Sequence, residues 1–445
     1  MNCAAVLKEA LEKLAAGRSD QAWKVADAFV PAVGTDREAA LAFAELLAQD
    51  PNYSDALPVS ERIVSAFGND AELVIRLSAA LVRVAEQRPG DEPPFVQGPA
   101  HLAAGACQRA FEGLSSAQRT DPRLGGYLQL NMADGLRMMG PEYDEDALKA
   151  YKLALTIDDK NGHWWFHLGL FHKWRGRFRE GLDANQKAYA RLGAHKPVVW
   201  NLAICATALG EGRLALEAWD KLGIKGELSS SGMPSVPGVP PMQVRVATLG
   251  EDVGRNDPLP PHVVTFEVLW VEPLSPCHGV VHTPTVRKAN VDWGDVVLWD
   301  GAPVRVNTVE GRPVPVFPLL SILRPGDERR LRFVGMQKQR GMVQALAADL
   351  GSDVHAVVFD ERSSSDGSSN LFYGKLIVPA ATDLRQVRER LEQGLRTRAG
   401  LTLAMPKLYE LLGDTPAAGK AHQAWGGIER VALKQGLLPS GTPSP

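Results

Sequence analysis

Cys277-His278-x-x-x-His282 comes nearest in this sequence to metal chemistry, because thiolate and imidazole suit zinc and His262 lies close by. The spacing opposes that chemistry. On an extended strand, residues four apart share a face yet sit about 13 Å from one another. A shared metal needs donor atoms about 2 Å from one centre. Two ordinary strand or loop histidines are therefore expected, with no metal and no cofactor. His163 and His167 have the i, i+4 spacing of a helical metal pair, but Trp164, Trp165 and Phe166 stand between them where a zinc protease carries glutamate.

Nucleophilic and phosphate chemistry find no motif. The chain has no GxSxG elbow and no GxxxxGK[ST] loop, and Ser230-Ser231-Gly232 and Ser363–Ser365 fall in polar segments that hold no side chain in line. Gly250-x-x-x-Gly254 lacks the lysine a phosphate loop requires. Glu267, Asp292, Asp295 and Asp300 supply carboxylates for a hydrolytic site between 243 and 380. Aspartates beside tight turns also stabilise backbone geometry, which is the competing account.

Composition narrows the classes. The chain has 445 residues, 45% hydrophobic and 23% charged, with a formal net charge of -3. That balance disfavours a nucleic-acid partner, since covering phosphates demands a basic excess. Cys3, Cys107, Cys205 and Cys277 lie far apart without a CxxC pair, as small apolar fillers in a reducing compartment do. Charges appear by Lys8, too early for a signal peptide, and no apolar run has the length of a membrane span. A cytoplasmic protein without a membrane partner is the expectation.

Helical stripes fill the first half, at Ala4–Ala16, Arg37–Leu47, Ser60–Phe67 and Ala71–Glu86, and the Pro/Gly run Pro89–Pro99 interrupts them. Residues 1–125 thus read as helical. Beyond them a repeat emerges. Ala147, Gly181 and Ala215 are 34 apart, as are Gly135, Gly169 and Ala203, and Tyr151, Asn185 and Trp219. Small residues at a fixed interval suit helix pairs that cross closely, and Gly176 and Gly210 sit where a turn needs glycine.

Trp165-x-x-Leu168-Gly169, Gly176-x-Phe178, Ala184 and Ala188 closely resemble the tetratricopeptide consensus, as does Ala147-x-x-x-Tyr151-x-x-Ala154. The likeness covers roughly residues 128–224. It departs from the pattern where Asp158–Asn161 and Leu192–Ala194 replace a closing proline and His172 replaces a tyrosine. The resemblance implies a helical solenoid over 126–227 with a concave face that binds another protein or peptide.

Three-and-four spacing puts His163, Phe166, His167, Leu170, Lys173 and Trp174 on that face, joined by Trp200, Asn201 and Ile204 from the next repeat. The preceding repeat offers Gln129, Met132, Leu136 and Met139. Only Lys173 and Asn201 suit a carboxylate clamp; the remainder suits an apolar or helical segment. The same residues would also serve to pack flanking helices or the C-terminal module.

Residues 228–242 read as a Pro/Ser/Gly linker. A β-rich domain is expected over 243–380, a helical tail over 381–436 and a disordered end over 437–445. Strands are predicted at Gln243–Leu249, Val263–Val271, Gly279–Thr283, Asp295–Trp299, Val314–Phe317, Arg330–Val334, Val354–Phe359 and Leu371–Val378. Helices are predicted at Gly341–Leu350, Thr382–Arg398, Met405–Leu412 and Ala417–Lys434. The fold class is an all-α solenoid followed by an α+β domain, a bent sheet or partly open barrel. An adaptor without catalysis is the first functional reading. A hydrolase in 243–380 whose substrate is recruited by the repeats is the alternative.

Overall fold

The structure, a computed structural model, describes residues 2–86, 97–248, 266–286, 289–364, 367 and 369–437. The chain divides into two compact units, Met1–Pro237 and Gly238–Pro445.

The first unit opens with α1 (Cys3–Ala15), α2 (Ser19–Ala26), α3 (Arg37–Gln49), α4 (Ala56–Phe67), α5 (Ala71–Glu86), α6 (Gln97–Gly113) and the short α7 (Ser116–Arg119). The expected stripes supply its core: Phe43, Leu46, Leu47, Leu73, Leu77 and Leu81 are buried together. Trp23 stacks on Tyr53 at 4.1 Å and its indole N–H donates to Asp50 at 3.0 Å, which ties α2 to the turn after α3. The predicted Pro/Gly interruption lies outside the described residues up to position 96, and positions 97–99 already belong to α6.

Next come α8 (Tyr127–Met139), α9 (Asp144–Ile157), α10 (Gly162–Trp174), α11 (Phe178–Leu192), α12 (Lys196–Ala208) and α13 (Gly212–Lys221). The second helices of the pairs begin at Asp144, Phe178 and Gly212, so the interval in the sequence is also the interval of the helices. Ala147, Gly181 and Ala215 are each the fourth residue of their helix, and all three are buried. Gly176 and Gly210 adopt φ of +69° and +72° at the turns within pairs, where a side chain would be strained. Gly135 has a different neighbour from the one expected. A Cβ there would lie 3.0 Å from the Ala100 carbonyl, so its close approach is to α6 and not to its own pair.

The expected linker is partly folded. β1 (Glu227–Leu228) and β2 (Pro234–Ser235) pair antiparallel and pack on α13, and the unit ends at Pro237. Gly232 turns the hairpin at φ +77°, while Ser229 donates its amide and hydroxyl to the Met233 carbonyl at 2.9 and 3.0 Å. A polar, glycine-bearing stretch thus closes a hairpin with bonds to its own backbone.

The second unit begins with β3 (Met242–Ala247), β4 (Phe266–Ser275), β5 (His278–Val281), β6 (Val296–Trp299), β7 (Arg305–Val309) and β8 (Arg312–Arg324). Strands β3-β4-β5-β6-β8 pair in order, and β8 returns to β3 through a parallel pairing. The barrel is therefore closed, where a bent sheet or partly open barrel was expected. Val244, Val246, Leu269, Val271, Val297 and Trp299 fill it.

A separate antiparallel sheet follows, in the order β10-β11-β9-β12, built from β9 (Arg329–Gln337), β10 (His355–Ser363), β11 (Asn370–Val378) and β12 (Leu401–Ala404). The predicted split at residue 380 is corrected here. β9, β10 and β11 join the helical tail because both faces of their sheet are apolar and need cover. α14 (Met342–Leu350) and α15 (Leu384–Thr397) bury Leu331, Phe333, Phe372 and Leu376 on one face. On the other, α17 (Thr415–Lys434) buries Val334, Leu371 and Tyr373 under Ile428 and Ala432, with α16 (Pro406–Leu411) packed beside it. The expected disorder beyond Leu437 falls outside the described residues.

Candidate functional site

α10 is capped by Asn161, whose side chain accepts the His163 amide, and carries most of the residues singled out for partner binding. His163 is exposed; Phe166, His167, Leu170, Trp174 and, on α12, Trp200 are half-buried. Rings meet across the two helices. Phe166 lies 5.7 Å from the His167 ring and 6.2 Å from the His195 ring, and His163 lies 5.6 Å from His195. Trp200 meets Trp219 edge-on at 4.7 Å. His195 precedes α12 and was missed by the helical spacing, because it stands at the cap and not on the stripe.

Three of the nine expected groove residues are corrected. Lys173, Asn201 and Ile204 are buried at 2%, 4% and 0% exposure. The Lys173 ammonium donates to Asn201 Oδ1 at 2.9 Å, so the two residues that suited a carboxylate clamp are turned toward one another. Met139 and the half-buried Met132 and Leu136 pack into the core formed with α3 and α5, and Gln129 is buried too, so α8 serves packing first.

α8 instead carries a polar cluster that sequence reasoning missed. Asp134 Oδ2 lies 2.7 Å from His167 Nδ1, and the Tyr151 hydroxyl donates to Asp134 Oδ1 at 2.5 Å. Arg137 approaches the same carboxylate at 3.5 Å and donates to Glu86 at 2.8 Å. Asp134, Arg137 and Tyr151 are all buried, whereas the His167 side chain keeps 32% of its surface open to solvent. Burial pushes the Asp134 carboxyl up, but His167 and Arg137 outweigh it and hold the group at about 2. Burial likewise opposes the His167 imidazolium, and the Asp134 charge reverses the effect and raises it. Burial, then Asp134, push the Tyr151 phenol well above its ordinary range. A hint was available in the sequence: Asp134 and Arg137 are charges three apart inside an otherwise uncharged helix.

No protein-family model and no curated protein matches this chain. The chemistry has to be read from the groups themselves.

In the second unit the carboxylates brace loops. Asp292 accepts the Thr285 and Trp293 amides at 3.0 and 2.9 Å, and Asp295 accepts the Asp292 and Gly326 amides at 2.8 Å each. Arg330 adds a 2.9 Å bond to Asp295. Glu267 accepts the Val286 amide at 2.7 Å. The Lys375 ammonium on β11 donates to Asp292 and to Thr285 at 2.5 and 2.9 Å, joining the second sheet to the barrel loop. Burial lowers its pKa, and Asp292 offsets part of that effect.

The Cys277-His278 stretch and His282 have separate surroundings. His278 is buried beside Ser275 at 2.6 Å, while His282 is exposed and lies 5.5 Å from the Trp293 ring. Among the described residues no three metal-binding side chains converge, and His262 lies outside them. Burial pushes the His278 imidazole down to about 4. Ser275 and Cys277 are both at 0% exposure, so this hydroxyl–imidazole pair holds a β-turn where a substrate has no access.

Proposed function

We propose that residues 127–222 are a tetratricopeptide-like array that holds an apolar or helical segment of a partner protein on the face carried by α10 and α12. Specificity would be added by the second unit. The observation that carries this is the half-open aromatic surface around Phe166, held edge-on between His167 and His195 beside exposed His163. Aromatic side chains left partly accessible at fixed geometry bury large area on association at little entropic cost. Burial there is worth about 25 cal/mol per Å² before ordering costs.

The 34-residue interval of the helices supports the repeat reading, and the polar cluster beneath Phe166 supports a rigid platform. Four buried cysteines without a disulfide suit a reducing, cytoplasmic setting. Among the described residues no helix is long and apolar enough to cross a membrane. The test is co-purification with the full chain and with its Phe166→Ala/Trp200→Ala double variant. Partners are expected to be lost in the variant while its far-ultraviolet circular dichroism stays unchanged. Undiminished recovery of every partner overturns the proposal.

A further inference from the structure

The second unit contains a cavity of about 670 Å³ beside edge strand β12, walled by α15 and α17. Met336, Leu395, Leu401 and Leu403 line it together with Ala424, Gly427 and Val431. Val431 is 45% exposed, and a Cβ on Gly427 would meet no atom closer than 3.9 Å, so the hollow has room. Along α17, Lys420, Ala424, Gly427, Val431 and Lys434 recur at spacings of four and three and share a face. That stripe is about 21 Å long.

Charge says what suits it. Lys420 and Lys434 end the stripe, Arg396 follows Leu395, and the Lys338 stem lies against Gly400, next to Leu401. All four cations are exposed, and none is within ion-pair distance of a described carboxylate. The acids nearby are engaged elsewhere. Glu410 pairs with Lys407 and His422, Asp349 with Arg398, and Glu392 and Asp414 with Arg388. Glu429 accepts from Tyr373 and Trp425. Asp414 also lies within electrostatic reach of Lys420, yet no ion pair closes on any of the four cations, so an apolar hollow is bordered by an excess of positive charge.

We infer that this groove docks an acidic amphipathic helix of a partner protein, laid along α17 with its apolar side chains in the hollow. Ala424 and Gly427 let a helix backbone approach closely, and the four cations meet flanking Glu and Asp. A lipid surface with anionic headgroups matches the charge but not the shape. Leu401 is 5% exposed at the bottom of a concavity, where a protruding side chain reaches and a flat bilayer does not. The inference stands apart from the proposal for the helical unit, and variants of the two surfaces separate their failures.

The experiment selects binders to the full chain from a displayed library of amphipathic helical peptides, then measures the best one by fluorescence anisotropy. Acidic peptides with a leucine-rich face are expected, with affinity that falls as salt rises. Val431→Glu and the groove-filling Gly427→Leu should each weaken binding about tenfold or more. Lys420→Glu/Lys434→Glu should favour basic peptides, and Phe166→Ala should change nothing. Neutral or basic selected peptides, no selected peptide, or binding that survives both Val431→Glu and Gly427→Leu overturns the inference. So does sedimentation with phosphatidylserine vesicles by a chain that selects no peptide.

Discussion

At the scale of single residues, Asp134 and His167 couple the first unit to pH from opposite sides. The Asp134 carboxyl sits at about 2, below its ordinary value, so its contribution to stability is complete above about pH 4 and drains as pH falls toward 2. His167 is raised above 6.5, so its contribution is complete below that pH and is lost as pH rises through the raised value. Thermal melting should therefore be highest from about pH 4 to 6.5, and His167→Gln should flatten the alkaline limb and also shrink the acid limb, because His167 is the first of the groups that hold Asp134 low. Circular dichroism melts from pH 3 to 8 measure both limbs. Identical alkaline slopes in the two proteins would show that the pair is not coupled to folding.

Lys375 invites a second residue-level test. Lys375→Met leaves the Asp292 carboxylate without its cation and should cost about 3 kcal/mol in urea denaturation. Lys375→Met/Asp292→Asn should recover part of that loss, since the stranded charge is gone.

At the scale of elements, the second sheet is held by an exchange between aromatic rings and glycines. Phe372 pairs with Gly335 across β11 and β9, and Phe333 pairs with Gly374. A Cβ at Gly335 would lie 2.2 Å from the Phe372 ring, and one at Gly374 2.4 Å from the Phe333 ring. Each phenyl lies over the backbone its neighbour leaves bare. Gly374→Val should therefore cost about 2 kcal/mol or more, measured by chemical denaturation, because the ring has no lower-energy place to go.

Elements were largely legible from periodicity. β11 and β9 were read because Leu371–Val378 and Arg330–Val334 are rich in β-branched and aromatic residues, and α15 because Leu384, Val387 and Leu391 form a stripe. β7 was missed because Arg305, Asn307 and Thr308 dilute its alternation, and β12 because four residues show too little period. The groove was half legible. Spacing put Lys173 and Asn201 on a face, but spacing does not say whether a face is open, and theirs is buried. The Asp134 cluster joins α5, α8, α9 and α10, and so depends on a tertiary arrangement that a single helix's pattern does not carry.

At the scale of the whole molecule, two units with separate cores should unfold separately. Calorimetry of the full chain is expected to resolve two transitions, and Gly374→Val should lower only one of them. One transition that shifts as a whole would mean the units melt as a single cooperative body.

The barrel carries its own consequence for how the chain reaches this state. Its last seam is three residue pairs, Gln243, Val244 and Arg245 against Val316, Phe317 and Pro318, joined across about seventy residues of sequence. Pro318 brings no amide donor to that seam. The ring is therefore expected to shut late, after the intervening hairpins exist, and to part first when the unit loosens. Amides of β3 should exchange with solvent sooner than those of β11, which is paired from Asn370 to Ile377 on both sides.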